Sequence, residues 1–201
     1  MSSSGQTGAT GSWLRRLANA ITGEPRDLDE LAAILVEARE RGLIDADVLQ
    51  MLESVLEVSE IQVRDIMVPR SQMVVINRDD TADRILPIVI ESGHSRFPVV
   101  GEDRDEVAGI LLAKDLLRFF VEDEPADFDI RECLRPAVFI PESKRLNVLL
   151  KEFRVSHNHM AIVVDEYGGV CGLVTIEDVL EEIVGDIDDE HDVPEGVSPI
   201  Q

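Results

Sequence analysis

The stretch GLVTIEDVLEEIVGD, residues 172–186, decides the fold. Leu173 and Val174 form a short apolar run suited to a strand. Thr175 follows, and threonine caps helices. Apolar residues then fall at Ile176, Val179, Leu180, Ile183 and Ile187, the spacing of an amphipathic helix. The pattern predicts strand, turn and helix. A hydroxyl stands at the junction and Asp178 lies three residues on, a capping box in the broad sense. The same junction can do more than cap. A helix N-terminus offers free N–H groups and a partial positive charge to a phosphate. A carboxylate in the first turn can accept hydrogen bonds from ribose hydroxyls. From this stretch alone, a plain cap and a ligand site are both open.

The plan recurs. Residues 109–117, GILLAKDLL, repeat it with Asp115 in the place of Asp178, an offset of 63 between Gly109 and Gly172. At that offset His94 meets His157, Phe97 meets Met160, Pro98 meets Ala161, and Val99-Val100 meets Ile162-Val163. Further upstream VRDIMVP at 63–69 resembles IRECLRP at 130–136, now at an offset of 67, as a loop insertion would leave. A duplicated unit of about 60 residues is the first organising fact. Two copies are too few for a solenoid, so a pair packed face to face is expected, with the cleft between them as the ligand site.

Composition bounds the function. The 201 residues suffice for one or two small domains with a true core, and 44% are apolar. The net charge of −22 argues against nucleic acid as a partner. Cys133 and Cys171 have no metal-ligand spacing and fit a reducing, cytoplasmic compartment. No apolar run approaches the roughly 20 residues of a membrane span, and no signal-peptide core opens the chain.

Along the chain, residues 1–26 read as a disordered tail holding one short amphipathic piece at 13–21. That piece can touch a membrane surface or a partner, or pack on its own protein. Residues 27–62 read as an acidic helical lead-in, with helices at 27–41 and 45–59. The first unit is assigned to 63–121: a loop at 68–70, a strand at 73–76, a helix from Thr81 containing Pro87, strands at 97–100 and 107–112, and a helix at 113–121. An acidic linker at 122–129 precedes the second unit, 130–187, with strands at 138–140, 161–164 and 170–174, a helix at 145–155, and the opening helix. Residues 188–201 read as an acidic tail. The fold class is α+β, a tandem of β-α-β-β-α units related by a pseudo-two-fold axis.

At these residues the resemblance is specific. VRDIMVPRSQM (63–73), ESGHSRFPVV (91–100), GILLAKDLL, PESKRLNVLLKEFR (141–154) and HMAIVVDEYGGVCGLVTIEDVLEEIVGDI (159–187) resemble the tandem CBS-domain pair, or Bateman module, of the CorC/HlyC family of magnesium and cobalt efflux proteins. The likeness covers residues 27–192. Larger relatives carry a transmembrane domain ahead of the pair. The family also has a C-terminal transporter-associated domain, which would begin where this sequence stops, so a fragment is expected.

The resemblance implies adenine-nucleotide binding, AMP or ATP, in the cleft. It implies that Asp178 accepts from the ribose hydroxyls and that Thr175 bonds the ribose or phosphate edge. Ser95, Arg96, Phe97 and Pro98 of the first unit, with Met67 and Val68, would complete the pocket. Arg96 would meet phosphate, and Phe97, Met160 and Ile140 would sandwich the adenine. Asp115 marks a weaker second site, because Leu112 stands where Thr175 does. No protein-only metal site is expected. Mg²⁺ would come with the nucleotide phosphates, while the acids Glu181, Glu182, Asp186, Asp188 and Asp189 read either as a solvated face or as a loose attractor of cations. His157 and His159 alternate as in a strand, and one is expected to line the cleft. The leading function is a non-enzymatic nucleotide-sensing module for magnesium and cobalt efflux. The implied partners are a second copy of the chain and a membrane transporter, at the inner face of the membrane. A structural dimerisation module without ligand and a Mg-dependent nucleotide hydrolase are the alternatives. No Ser-His-Asp, Cys-His or metal-ligand constellation supports the hydrolase.

Overall fold

The structure, a computed structural model, describes residues 25–101, 106–116 and 129–185. The expectations for residues 1–24, the hairpin tip at 102–105, the helix beyond Leu116, the linker at 122–128, and Asp186, Asp188, Asp189 and the tail lie outside the described residues.

The lead-in is two helices. Helix α1 (Leu28–Glu40) starts at Asp27, whose side chain accepts from the Glu30 N–H at 2.8 Å. Helix α2 (Ala46–Glu57) starts where Asp45 accepts from the Val48 N–H at 2.8 Å. Both caps satisfy amides that have no partner within the helix.

The remainder, from Glu57 on, forms a second compact unit. Its elements are α3 (Val63–Ile66), β1 (Val68–Pro69), a 3-10 turn at Arg70–Gln72, β2 (Ile76–Asn77), α4 (Ala82–Ser92), β3 (Arg96–Val100) and β4 (Val107–Leu112). A helical turn at 113–116 and a 3-10 turn at Ile130–Cys133 follow. Then come β5 (Phe139–Pro141), α5 (Leu146–Ser156), β6 (Met160–Val164), β7 (Val170–Thr175) and α6 (Ile176–Val184). Strands β2, β3 and β4 form one sheet, parallel then antiparallel, and β5, β6 and β7 repeat it. This is the expected β-α-β-β-α plan, twice, in an α+β chain. Two local expectations change. Val68–Pro69 is a strand rather than a loop, and β2 begins only at Ile76, since residues 73–75, after the 3-10 turn, form no regular structure.

The copies align differently from the sequence reading. Ile76 pairs with Val99, as Ile140 pairs with Val163, and Phe97 pairs with Leu111, as Ala161 pairs with Val174. Strands β2 and β3 with α4 thus repeat at an offset of 64, while β4 repeats at 63. The β6–β7 loop is one residue shorter than the β3–β4 loop. Phe97 therefore corresponds to Ala161 and Arg96 to Met160. One residue of slip moves a strand side chain to the opposite face, so this correction redraws the site.

The copies also exchange their lead-in segments. β1, at the start of the first copy, pairs antiparallel with β7 of the second, Val68 opposite Leu173. Arg135, at the start of the second copy, bridges antiparallel to Ile110 of the first, with reciprocal backbone hydrogen bonds at 2.9 Å. The cores follow the exchange. Val63 is fully buried with Ile140, Leu146, Phe153 and Val174, whereas Ile130 is buried with Ile76, Ile85, Phe97 and Leu111. A third cluster lies between the sheets, where Met73, Ile110 and Leu112 meet Met160, Ile162 and Leu173.

Two glycines permit the crossing. A Cβ at Gly172 would stand 2.4 Å from the Val68 carbonyl oxygen, and one at Gly109 would stand 2.8 Å from that of Arg135. Gly172→Ala is expected to lower stability by about 2 kcal/mol or more, read by urea unfolding, because backbone must shift. At the helix ends the copies differ. α4 ends on Gly93 at φ 67°, whereas α5 ends on His157 at φ 56°, a left-handed residue bearing a Cβ. His157→Gly is expected to raise unfolding stability by about 0.5 kcal/mol, the left-handed strain removed less the backbone entropy a glycine adds.

Candidate functional site

The second copy's β7 runs straight into α6, and Thr175 is the joint. Its N–H donates to Asp178 Oδ2 at 2.7 Å, and the Asp178 N–H donates to Thr175 Oγ1 at 3.2 Å. The capping box is therefore closed in both directions. Among the described residues, no further partner engages Asp178 Oδ1 or the Thr175 hydroxyl proton, so one acceptor and one donor remain for a ligand.

The junction faces a crevice of about 380 Å³. Its walls come from both copies. Val68, Met73, Val74, His94, Ser95 and Arg96 stand on one side, and Met160, Leu173, Thr175, Glu177 and Asp178 on the other. The crevice is apolar at Val68, Met73, Met160 and Leu173 and charged at Arg96, Glu177 and Asp178. That combination, with a helix N-terminus at one wall, suits a ligand with an apolar ring and an anionic end. At the charged end Arg96 Nη1 lies 3.9 Å from Glu177 Oε1, and His159 Nδ1 lies 3.6 Å from the same oxygen.

Of the residues expected to form the pocket, Val68, Ser95, Arg96, Met160, Thr175 and Asp178 line this crevice. Phe97 does not. It is fully buried in the first copy's core, and the His94 ring lies near it, centroids 6.1 Å apart. Ile140 is likewise sealed in the second core, 2% exposed. Both strands turn these residues toward the covering helix, so neither can stack on an adenine. The apolar walls are Met73, Leu173 and Val68 instead. Pro98 is buried opposite Ile110, and Met67 packs against the second core. His157 caps α5, and His159 sits in the turn before β6, so the two do not share a strand.

Asp115 has a different fate from Asp178. Arg135 Nη2 lies 3.2 Å from its Oδ2. Arg135 occupies the register that Val68 occupies in the other copy. The Arg135 guanidinium thus engages this carboxylate, and Leu112 supplies no hydroxyl beside it. Sequence reasoning missed Met73, Glu177 and the Arg135–Asp115 pair. The position of Glu177 in the first turn of α6 was a usable signal for one of them. Elsewhere, burial and the nearby Glu142 raise the Cys171 thiol above its ordinary range, so it stays protonated. Among the described residues no group of three or more His, Cys, Asp or Glu gathers as a metal site, and no helix is long and apolar enough to cross a membrane.

The comparisons agree with this architecture. The CBS-domain family profile matches residues 63–122 and 128–185, and a profile for the N-terminal region of NMB0537 matches 23–58. The chain is 55% identical over 181 residues to the magnesium and cobalt efflux protein CorC of Vibrio cholerae, covering 90% of this chain and 62% of that protein. It thus spans about three fifths of the length of such relatives. Among solved structures, the CBS domain of a bacterial CNNM/CorC family Mg²⁺ transporter superposes with a TM-score of 0.75 at 43% identity, covering 82% of this chain and all of that one. The structure of that domain type in complex with ATP superposes at 0.65 and 45% identity, covering 69% and 97%. With its duplicated sheets, exchanged lead-ins and inter-copy crevice, the chain belongs to the CBS-domain family, as a tandem pair of the CNNM/CorC type.

Proposed function

We propose that the crevice binds an adenine nucleotide, AMP or ATP, and that the pair acts as a non-enzymatic regulatory module of a protein for magnesium and cobalt efflux. The observation that carries this reading is the meeting of Thr175 and Asp178 from the second copy with Arg96 from the first across one crevice. Asp178 Oδ1 accepts from the ribose hydroxyls, the Thr175 hydroxyl donates at the sugar or phosphate edge, and Arg96 takes phosphate. Met73, Met160 and Leu173 bound the adenine. A ligand touching both copies couples its own binding to their spacing, which is what a sensor requires.

Magnesium enters this reading with the nucleotide. Phosphates on Arg96 lie beside Glu177, a like charge. A Mg²⁺ on the phosphate oxygens offsets that repulsion without a protein-only site. Exposed apolar side chains on the helices, Ile90, Val148, Val155, Leu180 and Val184, support pairing with a second copy of the chain. A membrane transporter is the further partner that the efflux reading implies, with the module on the cytoplasmic side.

Calorimetry with ATP and adenosine tests the site. Asp178→Asn, which keeps a side-chain oxygen for the cap, is expected to weaken both ligands at least about tenfold, roughly 1.4 kcal/mol. Equal affinities in wild type and variant would reject the assignment. In thermal unfolding, ligand at about 100 times its Kd should stabilise the wild type by about 2.7 kcal/mol. No shift would favour a purely structural module, and phosphate release proportional to protein would favour the hydrolase. Saturation is expected at one nucleotide per chain, because Arg135 holds Asp115. A stoichiometry of two would overturn that account of the second site.

A further inference from the structure

Glu177 is shared. One carboxylate oxygen lies within 4 Å of two basic side chains, Arg96 of β3 at 3.9 Å and His159 of the α5–β6 turn at 3.6 Å. The three residues belong to three separate elements, and the turn is tied to α6 by the Ile176 N–H donating to the His159 carbonyl at 3.0 Å. The His159 backbone is therefore anchored to the start of the helix. Arg96 is constrained as well, with its side chain only 26% exposed.

Neither contact is a tight ion pair, so the carboxylate can pass from one cation to the other. When an anion takes Arg96, Glu177 loses that partner and faces a like charge. Among the described residues, protonated His159 is the remaining cation within 4 Å of that oxygen, and a neutral imidazole offers no such compensation. Among the described residues, the other titratable groups lining the crevice are His94 and Asp178, whose carboxylate is held by the Thr175 N–H, and Lys114 lines a neighbouring cavity with Arg96. His157, on the same turn, caps α5.

We propose that His159 is a positioning residue for the phosphate end of the crevice: protonated, it draws Glu177 away from Arg96 and so admits the phosphates, coupling their binding to proton uptake. This rests on the nucleotide reading of the same crevice. The sign follows from linkage. Bound phosphate and the released Glu177 both favour the imidazolium over the neutral ring. Binding takes up a proton, and affinity falls as pH rises through the histidine range.

The test is calorimetry of the whole chain with ATP and with adenosine between pH 6 and 8, in pairs of buffers that differ in ionisation enthalpy. The comparison with His159→Gln removes the titration of ATP itself. Wild type is expected to take up more protons with ATP than His159→Gln does. It should also lose about three- to tenfold more ATP affinity across the range. Glu177→Gln should abolish the extra uptake and raise ATP affinity at pH 8. Adenosine should show no such dependence. Equal proton uptake in wild type and His159→Gln, or uptake that disappears in His94→Gln instead, overturns the proposal while leaving nucleotide binding in place. Failure of the wild type to bind either adenosine or ATP removes the nucleotide reading and this proposal together.

Discussion

The close approach of β1 to β7 at Gly172 holds the rest of the structure in place. The Val68 carbonyl sits where a side chain at residue 172 would begin, and the same arrangement recurs between Arg135 and Gly109. Each copy thereby completes its core with a segment from the start of the other copy, a strand in one case and a single bridge in the other. Val63 fills the second core and Ile130 the first. Neither copy buries its apolar face alone, so the two fold as an interleaved pair. The third apolar cluster, with Met73 and Ile110 against Met160 and Leu173, then fixes the distance between the sheets.

That distance creates the crevice, and the exchange determines what lines it. β1 brings Val68 beside the β7–α6 junction, leaving the Thr175–Asp178 box open to one side. In the duplicate position the exchanged residue is Arg135, and it occupies Asp115. One substitution pattern, aliphatic against guanidinium at equivalent registers, turns a symmetric scaffold into an asymmetric one. A capping box that is already satisfied makes a rigid anchor, since Asp178 is held by the Thr175 N–H before any ligand arrives.

The charged end of the crevice has a different character. Arg96, Glu177 and His159 are placed by three elements and loosely paired, and none is buried. Loose pairs at half-exposed positions contribute little to stability. They are easily rearranged, so a rigid capping box stands beside a charged end whose pairings can be redistributed.

Much of this was legible in the residues. The apolar spacing after Thr175, the Thr–Asp capping box, the duplicated Gly-apolar-Asp plan and the β-α-β-β-α order depend on neighbours within a turn or two, where sequence and geometry are tightly linked. Other features were decided only by the tertiary structure. A loop one residue shorter shifted β6 against β3 and sent Phe97 into a core while turning Met160 to the crevice, since strand faces alternate with every residue. The exchange of lead-in strands, the Arg135–Asp115 pair and the convergence of Arg96 and His159 on Glu177 join residues from 18 to 105 positions apart. No local pattern specifies such meetings, because they follow from how two packed sheets set their edges against each other.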